Sequence, residues 1–161
     1  MQHSTAISRI VSALLLCLFI PTMAFADSGY KVMYDGGSLQ EIKTGQKAHL
    51  YIDADRVRIL KGKDEIVSIP AADITEISYG QDVHRRVGAA IGLAVVSLGV
   101  GALMALTKSK KHYVGLTWVT GTSKGGFAMQ CDKTDYRGVL AGLEGVTGKK
   151  AVNSDAMTVK N

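Results

Sequence analysis

Residues 85–111 read RRVGAAIGLAVVSLGVGALMALTKSKK, in which twenty-one uncharged residues, 87–107, lie between two arginines and three lysines. The run contains no proline. As a helix it would be about 31 Å long, close to the hydrocarbon thickness of a bilayer. Its four leucines, four valines and one isoleucine favour insertion by roughly 3–5 kcal/mol in all, before its glycines and Ser97 subtract from that sum. This segment constrains the fold more than any other feature. A single crossing would put its two flanks on opposite sides of a membrane, where strands cannot share backbone hydrogen bonds. The flanks therefore either fold as separate units, as in a single-pass protein, or the segment returns to the side it left. Basic residues at both ends set no orientation, but they suit both ends lying at one anionic surface. The expectation is a same-side insertion: a helical hairpin bent near Gly99-Val100-Gly101, or a helix packed in oligomers or in the interface.

Small residues occupy much of the segment. Ala90, Ala94, Ser97, Gly101 and Ala105 recur three or four residues apart and would line one stripe of a helix, with Gly88 and Gly92 forming a G-x-x-x-G pair beside it. In lipid such stripes let helices approach closely, so the segment could make a homo-oligomer through a second copy of itself. Equally, the stripe could be a by-product of composition.

Charge is informative by position. Of 19 basic residues, Arg85, Arg86, Lys108, Lys110 and Lys111 flank the segment. Setting these and Arg9 aside, 13 basic residues face 14 acidic ones. The basic balance comes from the ends of one segment, which fits anionic membrane lipids. A nucleic-acid partner would need basic residues spread along a face with aromatics for stacking, and the sequence has no such face.

At the N-terminus, Arg9, the apolar run Ile10 to Ile20, Pro21 and Ala24-Phe25-Ala26 match a secretory signal peptide over residues 1–26. The expectation is an exported, membrane-associated envelope protein, on the periplasmic side in a bacterium. Past Ala26 only Cys131 remains, so the domain would be held by its core and not by disulfides. Cys131 reads as a buried thiol.

Residues 27–86 alternate short apolar runs with turns. Tyr30 to Tyr34 is broken by Asp35-Gly36-Gly37. Ser38 to Ile42 is short and could be a strand. Ala48 to Ile52, Arg56 to Leu60, Glu65 to Ile69 and Ile74 to Tyr79 follow, as in an antiparallel meander of five strands. In residues 108–150, His112 to Val119 and Phe127 to Cys131 read as two more strands. Tyr136, Val139, Leu140, Leu143 and Val146 form the apolar face of a helix that Gly145 or Gly148 ends. Residues 151–161 read as a polar tail.

Seven strands, an insertion between the fifth and sixth, and a closing amphipathic helix resemble a bacterial pleckstrin-homology-like or GRAM-like domain over Ser38 to Lys150. The resemblance rests on element order, on the passage Ile66 to Tyr79, and on Tyr136 to Val146. It implies a mainly β fold: a seven-stranded split barrel with a C-terminal helix and a hydrophobic Gly/Ala-rich helical insertion. Lys110-Lys-His-Tyr113 and Tyr136-Arg-Gly-Val-Leu-Ala-Gly-Leu-Glu144 are also similar to exported bacterial proteins without an assigned activity. In phosphoinositide-binding members of the pleckstrin-homology family, basic residues on the first strands and their loop hold the headgroup; by that resemblance Lys43, Lys47, Arg56 and Arg58 would bind lipid headgroups here. A solvated strand face is the plainer reading of the same four residues.

The sequence has no G-x-S-x-G, H-E-x-x-H, C-x-x-C or phosphate loop, so no catalytic residue, metal or cofactor is expected. His84 and His112 flank the segment and read as interfacial histidines. The function expected is therefore non-enzymatic: a membrane-associated domain binding lipid headgroups or a protein partner. The alternatives are an assembly protein that oligomerises through its small-residue helix, and a single-pass protein with separate flanking halves.

Overall fold

The computed structural model describes residues 29–92 and 111–155. Its strands are β1 (Tyr30–Gly37), β2 (Lys47–Ile52), β3 (Arg56–Lys61), β4 (Asp64–Pro70), β5 (Ile74–Tyr79), β6 (His112–Thr120), β7 (Ser123–Cys131) and β8 (Val152–Asn153). Helix α1 (Val83–Ile91) joins β5 to β6, and helix α2 (Tyr136–Thr147) follows β7; Ala71–Asp73 forms one short 3₁₀ turn. The strands form where apolar residues alternate: in β2 and β3, Ala48, Leu50, Val57 and Ile59 are buried while their neighbours point outward. Gly62, at φ +67, makes the tight β3–β4 turn that a side chain would resist.

All eight strands belong to one sheet, in the order β4-β3-β2-β1-β7-β6-β5-β8, antiparallel except for the short β5–β8 pair. The sheet is bent around its inner face. Leu50, Val57, Ile59 and Ile69 from one half meet Ile74, Ile77, Leu116, Phe127 and Met129 from the other in a single buried cluster. Val139 and Leu143 of α2, both fully buried, pack into that cluster. The left-handed Gly148 ends α2, one of the two glycines expected there.

The two halves on either side of the apolar segment are thus joined directly. Tyr34 pairs with Met129 and Ile77 with Leu116. A segment that crossed a bilayer once would separate these strands, so separate flanking halves do not describe this sheet. Among the described residues no helix is long and apolar enough to cross a membrane.

Among the described residues the architecture is mainly β with two helices, as expected, but it differs in detail. The sheet formed by the described residues has eight strands, not seven, and it is not closed. β1 runs on through Asp35-Gly36-Gly37, with an irregularity between Tyr34 and Gly36 that absorbs the extra residue. Ser38 to Ile42 is not a strand: it belongs to the β1–β2 loop, whose Ile42 is buried. The tail expected from residue 151 instead begins by adding β8 to the sheet edge. Of the helix expected at 87–107, the described part starts earlier, at Val83, and this helix is capped by the left-handed Gly92. Residues 93–107, Lys108, Lys110, the signal peptide expected at 1–26, and residues 156–161 lie outside the described residues.

Candidate functional site at the base of the apolar connection

The connection from β5 to β6 carries the apolar segment, and the structure shows how its base is mounted. Val83, Val87 and Ile91, four residues apart, form one face of α1. That face lies on the outer side of the sheet, with Tyr113 and Ala128 buried beneath it. The sheet makes room by omitting side chains. A Cβ added to Gly115 would stand 2.6 Å from Val83 Cγ1 and 2.7 Å from Val87 Cγ2, and one on Gly126 would stand 3.0 Å from Val87 Cγ1 and Ile91 Cγ2.

Two polar contacts, one of them an ion pair, fix the sides of α1. Toward β5, Arg86 donates to both carboxylate oxygens of Glu76, at 2.5 and 2.6 Å. Toward β1, His84 Nε2 meets Asp35 Oδ2. The Asp35 side chain is only 6% exposed, so the His84 ring is the polar group its carboxylate is set against inside the fold. The His84 ring also lies 5.7 Å from the ring of Tyr113, centroid to centroid. Burial first, and the Asp35 carboxylate second, push the Tyr113 hydroxyl up to about 12. Among the described residues Gln130 Oε1, on the strand position paired with Tyr113, is buried without a hydrogen-bond partner.

The C-terminal segment closes the base. Asp155 Oδ1 accepts hydrogen bonds from the backbone N–H groups of Gln81 (2.6 Å) and Asp82 (3.2 Å), just ahead of α1. A carboxylate there satisfies donors that a helix start leaves open. Gln81 Nε2 donates to Lys111 O at 2.7 Å, and Gly80 N–H donates to Tyr113 O at 3.2 Å. The connection therefore leaves and re-enters the sheet at one corner. Gly92, at the far end of α1, is about 14 Å from that corner by helix length.

The sequence-predicted residues divide. Of the flanking cations, Arg85 is exposed on α1 and Lys111 is partly buried at the corner, whereas Arg86 is committed to Glu76. Of the small residues, Gly88 is buried, Ala90 and Gly92 are exposed, and Ala94, Ser97, Gly101 and Ala105 fall outside the described residues. The left-handed Gly92 ends the α1 helix between Ala90 and Ala94, so the stripe does not continue on one unbroken helix.

The four headgroup candidates are not brought together. Lys43 and Lys47 lie in the β1–β2 loop and at its exit, while Arg56 starts β3 at the opposite end of the ladder. With Tyr51 opposite Arg58, Lys47 is about 13 Å along β2 from the level of Arg58. Both arginines also have local partners. Arg56 binds Asp55; Arg58 binds Asp53 at 2.6 Å and Glu65 at 3.7 Å, and lies over the Tyr51 ring. Cys131 is buried, as expected, and its thiol is pushed up to about 12 by burial first and by Asp135 and Asp132 after it.

Sequence reasoning missed Asp35, Glu76 and Asp155. In the sequence Asp35 reads only as part of the Asp35-Gly36-Gly37 break after the first apolar run, and no local spacing links it to His84 or Asp155 to Gln81. No cluster of His, Cys, Asp or Glu among the described residues could hold a metal ion. The chain matches no protein-family model and no curated protein.

Proposed function

We propose that this protein is a non-enzymatic β domain attached to a membrane from one side by the apolar residues of its β5–β6 connection. One observation carries the reading: strands before and after the connection pair in a single sheet, and the connection closes at one corner through Gln81 and Lys111. Both flanks must then lie on one side of any bilayer. The first apolar residues, Val87 to Ile91, are already committed to α1 on the sheet. What remains, 93–107, is fifteen uncharged residues, and crossing and returning would take about forty. A segment of that length and polarity suits an interfacial or one-leaflet anchor.

The finer fold reading belongs here too. Two antiparallel meanders, β1–β4 and β5–β7, joined through β1 and β7 and closed by a C-terminal helix, support a pleckstrin-homology-like split barrel with β8 as an added edge. The assembly alternative rests on a stripe of which only Ala90 is described, and no observation favours it.

Topology tests the reading. In a Cys131→Ser background, Lys63→Cys precedes the connection and Lys124→Cys follows it; both positions are exposed. In sealed spheroplasts of an expression host, an impermeant maleimide should label both equally, and the protein should stay with membranes through a high-pH wash. Labelling of one cysteine only until lysis, or protein washed free, would overturn it.

A further inference from the structure

We infer that the outer face of β1 and β2, beside α1, is the surface that lies against the membrane, and that it selects anionic lipid. The inference rests on the membrane reading above and names its face and lipid chemistry. Val32, Tyr34, Ala48 and Leu50 turn into the core, so by strand alternation Lys31, Met33, Lys47 and His49 project from the opposite face. This is the face that carries α1, because Asp35, two residues beyond Met33, meets His84 there. In the ladder Lys31 is opposite His49 and Lys47 is opposite Met33. The two lysines are therefore diagonal neighbours, about 7–8 Å apart. Both are exposed, and neither has an acidic partner among the described residues. Arg85 adds a third exposed cation, on the side of α1 away from the buried Val83 and Val87.

The surrounding charges do not cancel these three. On this face Glu76 is paired with Arg86 and Asp35 lies against His84, while the exposed Asp132, which follows the Cys131 that pairs with Val32, is level with Lys31 and can offset only one of the three cations. Farther along the sheet, Arg56 and Arg58 are offset by Asp55, Asp53 and Glu65, and in the β1–β2 loop Lys43 has Glu41 two residues away. The unbalanced positive charge is thus next to the helix that leads into the apolar segment. Like charges held this close repel one another, and a negatively charged surface relieves that repulsion. A bilayer is the one such surface that the neighbouring apolar residues would also enter.

The test is flotation of the full chain with vesicles of phosphatidylcholine alone, or containing about one-third phosphatidylglycerol. Each cation near an anionic surface contributes roughly fivefold to partitioning. The triple variant K31E/K47E/R85E, which reverses all three, should therefore bind anionic vesicles at least about 100-fold more weakly, with neutral-vesicle binding unchanged and a wild-type far-ultraviolet spectrum. A control reversing Lys63, Lys133 and Arg137, exposed cations on other elements, should leave both unchanged. If the triple variant binds anionic vesicles as the wild type does, or if the wild type does not distinguish the two compositions, this face is not the contact and the inference fails while the membrane reading stands. A wild type that floats with neither vesicle defeats the membrane reading itself.

Discussion

At the scale of single residues, two buried groups hold their protons far more tightly in the folded chain than out of it. The Cys131 thiol, 2% exposed in the core, is raised from 9.0 to about 12 by burial and then by the nearby carboxylates. The Tyr113 hydroxyl, under α1, is raised from 10.0 to about 12 by burial and then by Asp35. In each case the unfolded chain releases its proton at a pH where the folded chain keeps it, so raising the pH favours unfolding. Their contribution to stability is complete below pH 9 and is lost as the pH climbs toward 12. Each group should remove about 1 kcal/mol per pH unit within its window. Urea titrations at intervals from pH 8 to 11 should show this fall, beginning near 9. Cys131→Ala should delay its onset to about pH 10, and Tyr113→Phe should make the part above that less steep, with Tyr34 and Tyr136, also raised by burial, contributing the remainder. A fall of the same onset and slope in both variants would place its origin in other groups. The protonated, enclosed thiol should also resist alkylation at neutral pH until denaturant is added.

At the scale of elements, α1 stays on the sheet because the sheet offers it a floor of glycine. Gly115→Ala places a methyl group 2.6–2.7 Å from side-chain atoms of Val83, Val87 and Ser78, all of them enclosed, so the helix must lift or the strand must shift. Overpacking of this kind costs about 1–3 kcal/mol. Val87→Ala in the same chain should recover part of that loss, because it removes one of the two opposing valines. Equilibrium unfolding of the two single variants and the double variant measures the coupling, and strictly additive losses would mean that Gly115 does not seat the helix. The sequence shows one partner of this contact and hides the other. Val83, Val87 and Ile91 read as apolar, but they merge into the longer run that follows, so the pattern predicts a helix over 87–107. Nothing local marks Gly115 and Gly126 as a floor rather than as breaks in strands. The strands β2 to β5 and the helix α2 were legible because each carries its own period and its own turn residues. β8 was not: a two-residue strand has no period, and Val152–Asn153 is ordered by its parallel partner β5 and by Asp155 on the α1 base. The mount of α1 was illegible for the same reason, since Asp35–His84 and Glu76–Arg86 are fixed by how the strands stack side by side.

At the scale of the whole molecule, the sheet and the apolar segment divide the labour. The core cluster is formed by residues of the sheet, the β1–β2 loop and α2, including both strands that flank the connection. Burial of that surface is the dominant favourable term in the fold. The segment 93–110 would then be dispensable for folding and required for attachment. Replacing it with a flexible Gly/Ser linker tests both halves of that claim in one protein. The linker must run from Gly92 back to Lys111, about 14 Å by the length of α1, and eight Gly/Ser residues have a root-mean-square span of about 15–17 Å. Such a chain can close without pulling α1 from the sheet. The expected product unfolds cooperatively with a midpoint close to that of the parent, keeps the Gln81–Lys111 corner, and no longer floats with neutral vesicles. Residual binding to anionic vesicles at low salt should persist through Lys31, Lys47 and Arg85, and vanish at high salt as exposed charges are screened. A chain that fails to fold would show that the segment belongs to the core of the domain. One that folds and still floats with neutral vesicles would place the anchor elsewhere, leaving the closed corner as a structural joint only.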